Sequence, residues 1–141
     1  NNISTFCYNY WKDECNYIGI YSVLDYKKNL MNNFKVHTAL VAVIGEEKFC
    51  GFVQIDLDDM SDRPQYSPWL SSLFVLPEYR RRGIGNKLIQ KALSVAKICN
   101  INIIYLWTSL NNKFLYEKNG FKEIEKRYYC KNNVSIMEFR F

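Results

Sequence analysis

Hydrophobic residues recur along this chain with two periods, one typical of helices and one typical of strands. Spacings of three and four predict helices over about 3–15 and 20–34, and a longer helix that begins at Ile84. Alternating or continuous apolar runs predict strands, which lie at about 38–44, 49–57, 69–76, 101–108, 121–130 and 134–141. The chain has no linker or repeat, so we expect a single domain over residues 1–141.

The connections between the predicted strands indicate how they pair. The first two strands form a hairpin, and an Asp-, Ser- and Pro-rich loop at 58–68 leads to the third. The long helix joins the third strand to the fourth, and a helical crossover makes such a pair parallel. A short helix from Asn111 to Asn119, ended by Gly120, precedes the last two strands. The predicted fold class is therefore α/β (α+β) with a mixed central sheet.

A basic, glycine-containing loop separates the third strand from the long helix. It reads Arg80-Arg81-Arg82-Gly83-Ile84-Gly85. The glycines permit backbone turns in which N–H groups converge on an anion at the helix N-terminus, where the macrodipole also favours negative charge. A Rossmann loop needs a third glycine where Leu88 stands, and a P-loop needs Gly-Lys-Ser/Thr. The loop therefore predicts a phosphate site of another kind.

Composition and charge exclude several classes of protein. Residues 1–70 carry a net charge of −3 and residues 71–141 a net charge of +8, which suits a polyanionic ligand beside a cationic one. The five cysteines show no Cys-x-x-Cys spacing, so we expect reduced thiols in a cytoplasmic protein. The single histidine, His37, gives no basis for a metal site. Because no apolar run approaches the roughly 18 residues that cross a bilayer, we expect no membrane partner.

Two motifs in this order resemble the GCN5-related N-acetyltransferase (GNAT) superfamily. The loop at Arg80–Gly85 is similar to the family's motif A, Arg/Gln-x-x-Gly-x-Gly/Ala. The segment Tyr116-Glu117-Lys118-Asn119-Gly120-Phe121 resembles the end of motif B. The resemblance implies the GNAT acyl-CoA N-acyltransferase fold, in which two parallel strands splay apart at a bulge. The family's first strand has no counterpart before Ile3, so we expect it to be missing or trimmed.

The resemblance also implies the chemistry and the residues of the site. A GNAT enzyme passes the acetyl group of acetyl coenzyme A directly to an amine, without a metal. Tyr116 matches the tyrosine that protonates the departing thiolate. The matching cofactor-binding positions are on the third strand, in the loop and before the motif B helix: Leu73, Phe74, Val75, Arg80, Arg81, Arg82, Gly83, Ile84, Gly85, Asn86, Asn111 and Asn112.

The acceptor and the general base are less well defined by the sequence. Some members of the family have a glutamate on the fourth strand, where this chain has Trp107. Asp56 is one candidate base, and the acids of the following loop, Asp58, Asp59 and Asp62, are others. We name Asp56, Trp69 and Trp107 as the candidate substrate-binding residues.

The predicted function is an acetyl-CoA-dependent N-acetyltransferase that acts on a primary amine of a small molecule. The chain is similar in particular to small bacterial members of the family. Acetylation of a protein N-terminus or lysine, and acyl-CoA binding without turnover, are the alternatives. We expect no nucleic-acid partner, because no surface of aromatic and basic residues accompanies the arginines. The protein could be a homodimer, and the sequence does not decide its oligomeric state.

Overall fold

The computed structural model describes residues 38–44 and 48–141. The predicted helices at 3–15 and 20–34 and the question of a first strand lie outside these described residues. Within them the chain forms one mixed sheet of six strands in the order β1-β2-β3-β4-β6-β5. In chain order the elements are β1 (Thr38–Ile44), β2 (Lys48–Asp56), β3 (Trp69–Val75), α1 (Ile84–Ile98), β4 (Ile103–Ser109), α2 (Lys113–Glu117), β5 (Lys122–Tyr129) and β6 (Asn132–Arg140).

The predicted pairing of the strands is confirmed. The strands β1 and β2 form an antiparallel hairpin, β3 and β4 are parallel, and β6 pairs antiparallel with both β4 and β5. One boundary differs from prediction: residues Leu110–Asn112 form a 3-10 turn, and the α-helical part before Gly120 is only Lys113–Glu117. Its N-cap is Asn112, without a side-chain hydrogen bond, so Asn111 does not cap it.

The two faces of the sheet are covered differently. On the helix face, α1 and α2 pack on strand residues such as Val53, Leu70 and Leu106 to form the main core. On the opposite face, the loop at 57–68 packs Met60 and Tyr66 against aromatic residues of β3 and β4. We call the two sides the helix face and the loop face. Successive side chains along β4 point alternately to the helix face and the loop face, as in any strand.

A bulge interrupts β3 where it pairs with β2. Phe52 is opposite Phe74 and Gln54 is opposite Ser71, so β3 holds one residue more than β2 over this interval. Ser72 has a φ of 54°, a left-handed conformation that non-glycine residues adopt at a cost. The expected bulge is therefore present in β3, at Ser72.

The cysteines differ in part from the prediction of reduced thiols. Cys50 and Cys99 are free. Cys130, in contrast, is disulfide-bonded. The prediction is therefore wrong for Cys130, because the sequence spacing that excluded a Cys-x-x-Cys motif carries no information on pairing between distant segments.

Candidate functional site

A gap opens between the parallel strands β3 and β4. Their register consists of one pair, Trp69 opposite Tyr105, supported by a 2.9 Å hydrogen bond from the Tyr105 N–H to the Pro68 carbonyl. Beyond that pair no ladder joins the two strands in the described part of the chain. Since β4 keeps its full pairing with β6, the edge of β3 after the bulge faces the gap with backbone groups available to an extended ligand.

The N-terminus of α1 lies at the end of β3, beside this gap. Gly83 is the N-cap with a φ of 77°, and no side chain caps the helix. Arg81 has a φ of 62°, so the chain turns twice through left-handed backbone before the helix begins. A Cβ built on Gly85 would meet only Val75 Cγ2, at 3.8 Å, which leaves space at the first turn. The first N–H groups of a helix have no partner within the helix and are suited to bind an anion.

The three arginines of the loop do not make the same contacts. Arg80 Nε donates to the Val75 carbonyl at 2.9 Å, and its guanidinium lies 5.6 Å from the centre of the Phe74 ring. Arg82 lies 5.5 Å from the centre of the Tyr79 ring. Arg81 is exposed and has no such contact in the described part of the chain. Arg80 therefore also holds the end of β3 in place, whereas Arg81 is the cation most free to meet a phosphate.

A side-chain hydrogen bond ties the two helices together. Asn119 Nδ2 donates to Asn86 Oδ1 at 2.7 Å and to the Leu115 carbonyl at 2.8 Å. Asn86 belongs to the first turn of α1, and Asn119 follows α2. The side chain of Asn86 thus joins the two helices through a hydrogen bond. Its contact with the cofactor stays a prediction, as do the cofactor contacts of the exposed residues Asn111 and Asn112.

Tyr116 is the buried residue of α2. Its ring packs edge-on against Phe121, with ring centres 6.1 Å apart, in the core of the helix face. Burial, and after it the negative charge of Asp59, raises the pKa of Tyr116 above the ordinary tyrosine value. The hydroxyl is therefore protonated at neutral pH, as a proton donor must be.

Asp59 lies in the loop that covers the loop face. The indole N–H of Trp107, on β4, donates to the Asp59 carbonyl at 3.3 Å. Burial, and after it the negative charge of Asp56, raises the pKa of the half-buried Asp59 well above the ordinary value. Tyr129 packs edge-on against Trp107, and its pKa is raised by burial and then by the charge of Asp59. Acidic and aromatic groups therefore meet where β4 has left β3.

Two ion pairs fasten the same loop to β5. Arg63 donates through Nε to Glu125 at 3.1 Å and also contacts it through Nη2. Arg127 donates through Nη1 to Asp62 at 3.0 Å. Met60 is buried close to these ion pairs. The loop is therefore anchored to the sheet at Met60, Asp62 and Arg63, which follow Asp59 in the sequence. We call residues 57–68 the strap.

The candidate substrate residues take different positions in this site. Asp56, at the end of β2, is buried on the loop face and accepts a hydrogen bond from the Ser71 hydroxyl. Trp69 is fully buried against Met60 and Ile136, and its indole N–H has no hydrogen-bond partner in the described part of the chain. Trp107 is half-buried beside the strap. The structure thus brings all three to the loop face, and their contact with a substrate stays a prediction.

Comparison with known proteins agrees with this geometry. The sequence matches the acetyltransferase (GNAT) domain family over residues 35–123. The chain belongs to the GNAT family. An uncharacterised N-acetyltransferase of Archaeoglobus fulgidus is 36% identical to it over 92 residues, which cover 64% of this chain and 60% of that protein.

Solved structures share the GNAT fold with this chain. A variant of spermidine N-acetyltransferase from Vibrio cholerae has a TM-score of 0.62 at 21% identity, over 84% of this chain and 73% of that one. An acetyltransferase from Salmonella typhimurium, solved with acetyl-CoA, has a TM-score of 0.64 at 16% identity, over 82% and 69%. At such identities the likeness concerns the fold alone. The GNAT chain spans between 35% and 60% of the length of the curated relatives it matches.

Two absences concern the described residues of this GNAT chain only. Residues 38–44 and 48–141 contain no group of three or more His, Cys, Asp or Glu side chains arranged to hold a metal ion. The same residues contain no helix long and apolar enough to span a membrane.

Several residues that shape the GNAT site could not be found from sequence patterns. The ion pairs of the strap join positions 62 and 65 residues apart, so no spacing rule can find them. The Asn86–Asn119 bond spans 33 residues. For Ser72 a weak signal existed, since two adjacent serines interrupt the apolar run of β3.

The strap should loosen in acid. Hydrogen bonds from Arg127 and from Arg63, respectively, lower the pKa values of Asp62 and Glu125. A lowered pKa in the folded state stabilises the strap above the ordinary carboxyl range of about pH 4, and this contribution is lost as pH falls further. We expect the amides of Arg63 and Tyr66, which are hydrogen-bonded within the strap, to lose protection near pH 3 in hydrogen exchange corrected for the intrinsic rate.

The matched control breaks the ion pairs at neutral pH. The double variant Arg63→Gln and Arg127→Gln should lose protection of the same amides at pH 7, while the amides of β4 and β6 stay protected. Equal protection of the strap at pH 7 and pH 3 in the unmutated protein would contradict the prediction.

Proposed function

We propose that the protein is an N-acetyltransferase that transfers the acetyl group of acetyl-CoA to a primary amine of a small molecule by direct attack. The observation that carries the proposal is the gap between β3 and β4, with the uncapped N-terminus of α1 at one end. Such a gap offers an extended ligand a free strand edge, with an anion site at the end of that edge.

The residues around the gap fit acetyl-CoA by their chemistry. The backbone of Leu73, Phe74 and Val75 lies along the unpaired edge of β3 and supplies N–H and C=O groups for the pantetheine arm. The Gly83 turn and the open space at Gly85 suit the pyrophosphate, with Arg81 as a nearby cation. When bound, acetyl-CoA supplies the activated acetyl thioester. The related fold solved with acetyl-CoA supports this assignment.

The loop face supports a small amine as acceptor. An amine that approaches β4 meets Asp59, whose main-chain carbonyl is bonded to the Trp107 indole, and the aromatic rings of Trp107 and Tyr129. An acidic residue and aromatic faces both attract a cation. The strap covers part of this face, whereas an acceptor protein would need an open groove. The fold is shared with spermidine N-acetyltransferase, whose name gives a small polyamine as substrate.

Two measurements in sequence test the proposed function. Titration calorimetry with acetyl-CoA should give saturable binding to the folded protein, weakened by added salt because phosphates meet cations. Release of the CoA thiol should then be followed with a panel of polyamines, aminoglycosides and peptides with free α-amines or lysines. We expect turnover with small amines.

The other outcomes separate the alternatives. Turnover with peptides alone would indicate a protein acetyltransferase. Binding without turnover on any amine would indicate an acyl-CoA binding module, and absence of acetyl-CoA binding would overturn the proposal. A cytoplasmic location and a homodimer stay predictions.

A further inference from the structure

We propose that Asn119 is a positioning residue whose side chain fixes Tyr116 relative to the anion site at the N-terminus of α1. This inference rests on the proposed function, in which Tyr116 gives a proton to the departing thiolate. It assigns a role to the hydrogen bond between Asn119 and Asn86, which joins the end of α2 to the helix turn that would hold the pyrophosphate.

The backbone of Tyr116 is part of the turn that ends α2. The N–H groups of Asn119 and Phe121 donate to the Tyr116 carbonyl at 3.0 and 3.1 Å. The N–H of Gly120, which has a φ of 92°, donates to the Glu117 carbonyl at 3.0 Å. This pattern is a Schellman motif, and the edge-on contact between Tyr116 and Phe121 is the apolar contact that accompanies such motifs. The position of Tyr116 is therefore fixed by this turn.

The side chain of Asn119 connects the same turn to α1. Its amide group donates to the Leu115 carbonyl at 2.8 Å and to Asn86 Oδ1 at 2.7 Å. A side-chain amide has two hydrogens, so each of them has one acceptor. Leu115 directly precedes Tyr116 in α2. Asn119 thus binds the residue next to Tyr116 and the first turn of α1 at the same time.

Asn86 belongs to the anion site through its main chain. It is the third residue of α1 after the N-cap Gly83, and the first hydrogen bond within the helix runs from the Lys87 N–H to the Gly83 carbonyl, at 3.0 Å. The Asn86 N–H precedes that bond and has no partner within the helix. A phosphate that binds this N–H is therefore held by the same residue whose side chain holds Asn119. The distance between the phosphate and Tyr116 depends on this contact.

The short length of α2 explains why it needs such a contact. Its α-helical part is only Lys113–Glu117, and a helix of this length is not stable by itself. At its start, Lys113 Nζ lies 3.1 Å from a carboxylate oxygen of Glu123, which also accepts a hydrogen bond of 2.6 Å from Ser135. This contact holds α2 to the sheet, whereas the contact of Asn119 at the other end holds it to α1.

The first test removes each partner of the hydrogen bond in turn. Asn119→Ala should lower kcat about 10-fold to 100-fold at saturating acetyl-CoA, since a misplacement of about 1 Å can lower a rate about 100-fold. Its affinity for acetyl-CoA should change little. Asn86→Ala, which leaves the Leu115 contact in place, should lower kcat by a similar factor. The double variant should lose no more than either single variant, because both remove one interaction.

A second cycle separates positioning from a general effect on the fold. In a Tyr116→Phe background there is no proton donor to position, so Asn119→Ala should lower kcat little further. A residue that only stabilises the fold would lower kcat by the same factor in both backgrounds, and that result would overturn the proposal.

The matched control removes the contact at the other end of the same helix. Lys113→Gln should lower kcat much less than Asn119→Ala, because the contact with Glu123 does not reach α1. Thermal unfolding midpoints show how far each variant loosens the fold. Equal losses of kcat in Lys113→Gln and Asn119→Ala would contradict the proposed role of Asn119.

An NMR titration with inorganic pyrophosphate needs no turnover. Pyrophosphate should shift the backbone amide signals of Ile84 and Gly85 in isotope-labelled protein and, through Asn86, the side-chain amide signals of Asn119. In Asn86→Ala only the backbone signals should shift. Asn119 signals that do not move, or that move equally in Asn86→Ala, would overturn the proposal, and absence of shifts at Ile84 and Gly85 would overturn the anion site as well. If the protein acetylates no amine, the proposed function fails, and this titration still decides whether the anion site and the end of α2 are linked.

Discussion

The variant Tyr116→Phe should retain the fold and the affinity for acetyl-CoA and lose about 10²–10⁴-fold in kcat, the usual contribution of one proton donor. The phenylalanine ring keeps the edge-on contact with Phe121 and the place of Tyr116 in the core of the helix face. The substitution therefore removes a proton donor with little effect on packing. Steady-state kinetics with an accepted amine and calorimetry with acetyl-CoA measure the two quantities separately.

The control for this variant is another Tyr→Phe substitution in the same sheet. Tyr128 is exposed on the edge strand β5 and takes no part in the proposed reaction, so Tyr128→Phe should have nearly the activity of the unmutated protein. A Tyr116→Phe variant with unchanged kcat would show that Tyr116 only packs and that water protonates the thiolate.

The second large effect is expected at the first turn of α1. Gly85→Val should reduce acetyl-CoA binding at least 100-fold, about 2.7 kcal/mol, because a side chain there would occupy the space that a pyrophosphate needs against the backbone. The fold should survive, since the Cβ position has only Val75 Cγ2 nearby, at 3.8 Å. Calorimetry measures the binding, and the thermal unfolding midpoint measures the fold.

A β-branched residue elsewhere on the same helix provides the control. Ser94 is exposed on α1, and Ser94→Val places the same β-branched side chain on this helix without approaching the loop. It should bind acetyl-CoA normally. Equal affinity of Gly85→Val and Ser94→Val would place the phosphates somewhere other than the Gly83 turn.

The sequence was sufficient for those parts of the fold that depend on local periodicity. The alternation along 49–57 predicted β2, and the apolar stripe from Ile84 predicted α1, because burial on one face imposes the period directly on the sequence. The Gly83 turn was predictable for a related reason: a left-handed φ at a helix start selects glycine.

The loop face was not predictable in the same way. The acids at 58–62 resemble a solvated loop in sequence, yet Asp62 pairs with an arginine 65 residues later and the main-chain carbonyl of Asp59 is bonded to Trp107. Single charged residues have no period, and their partners are fixed only when distant strands come together. The special environment of Asp59 therefore appears only in the folded chain.

The bulge at Ser72 determines which side chains of β3 enter the core. Before it, Leu70 points to the helix face, as an even-numbered residue; after it, the odd-numbered Leu73 and Val75 do so. The additional residue thus reverses the parity of the strand. A β3 that kept all its residues but lacked the bulge would direct Leu73 and Val75 away from the helices and bring Phe74 into their place. The opening of the sheet and the composition of its core are consequently encoded by the same single position, so neither can change without the other.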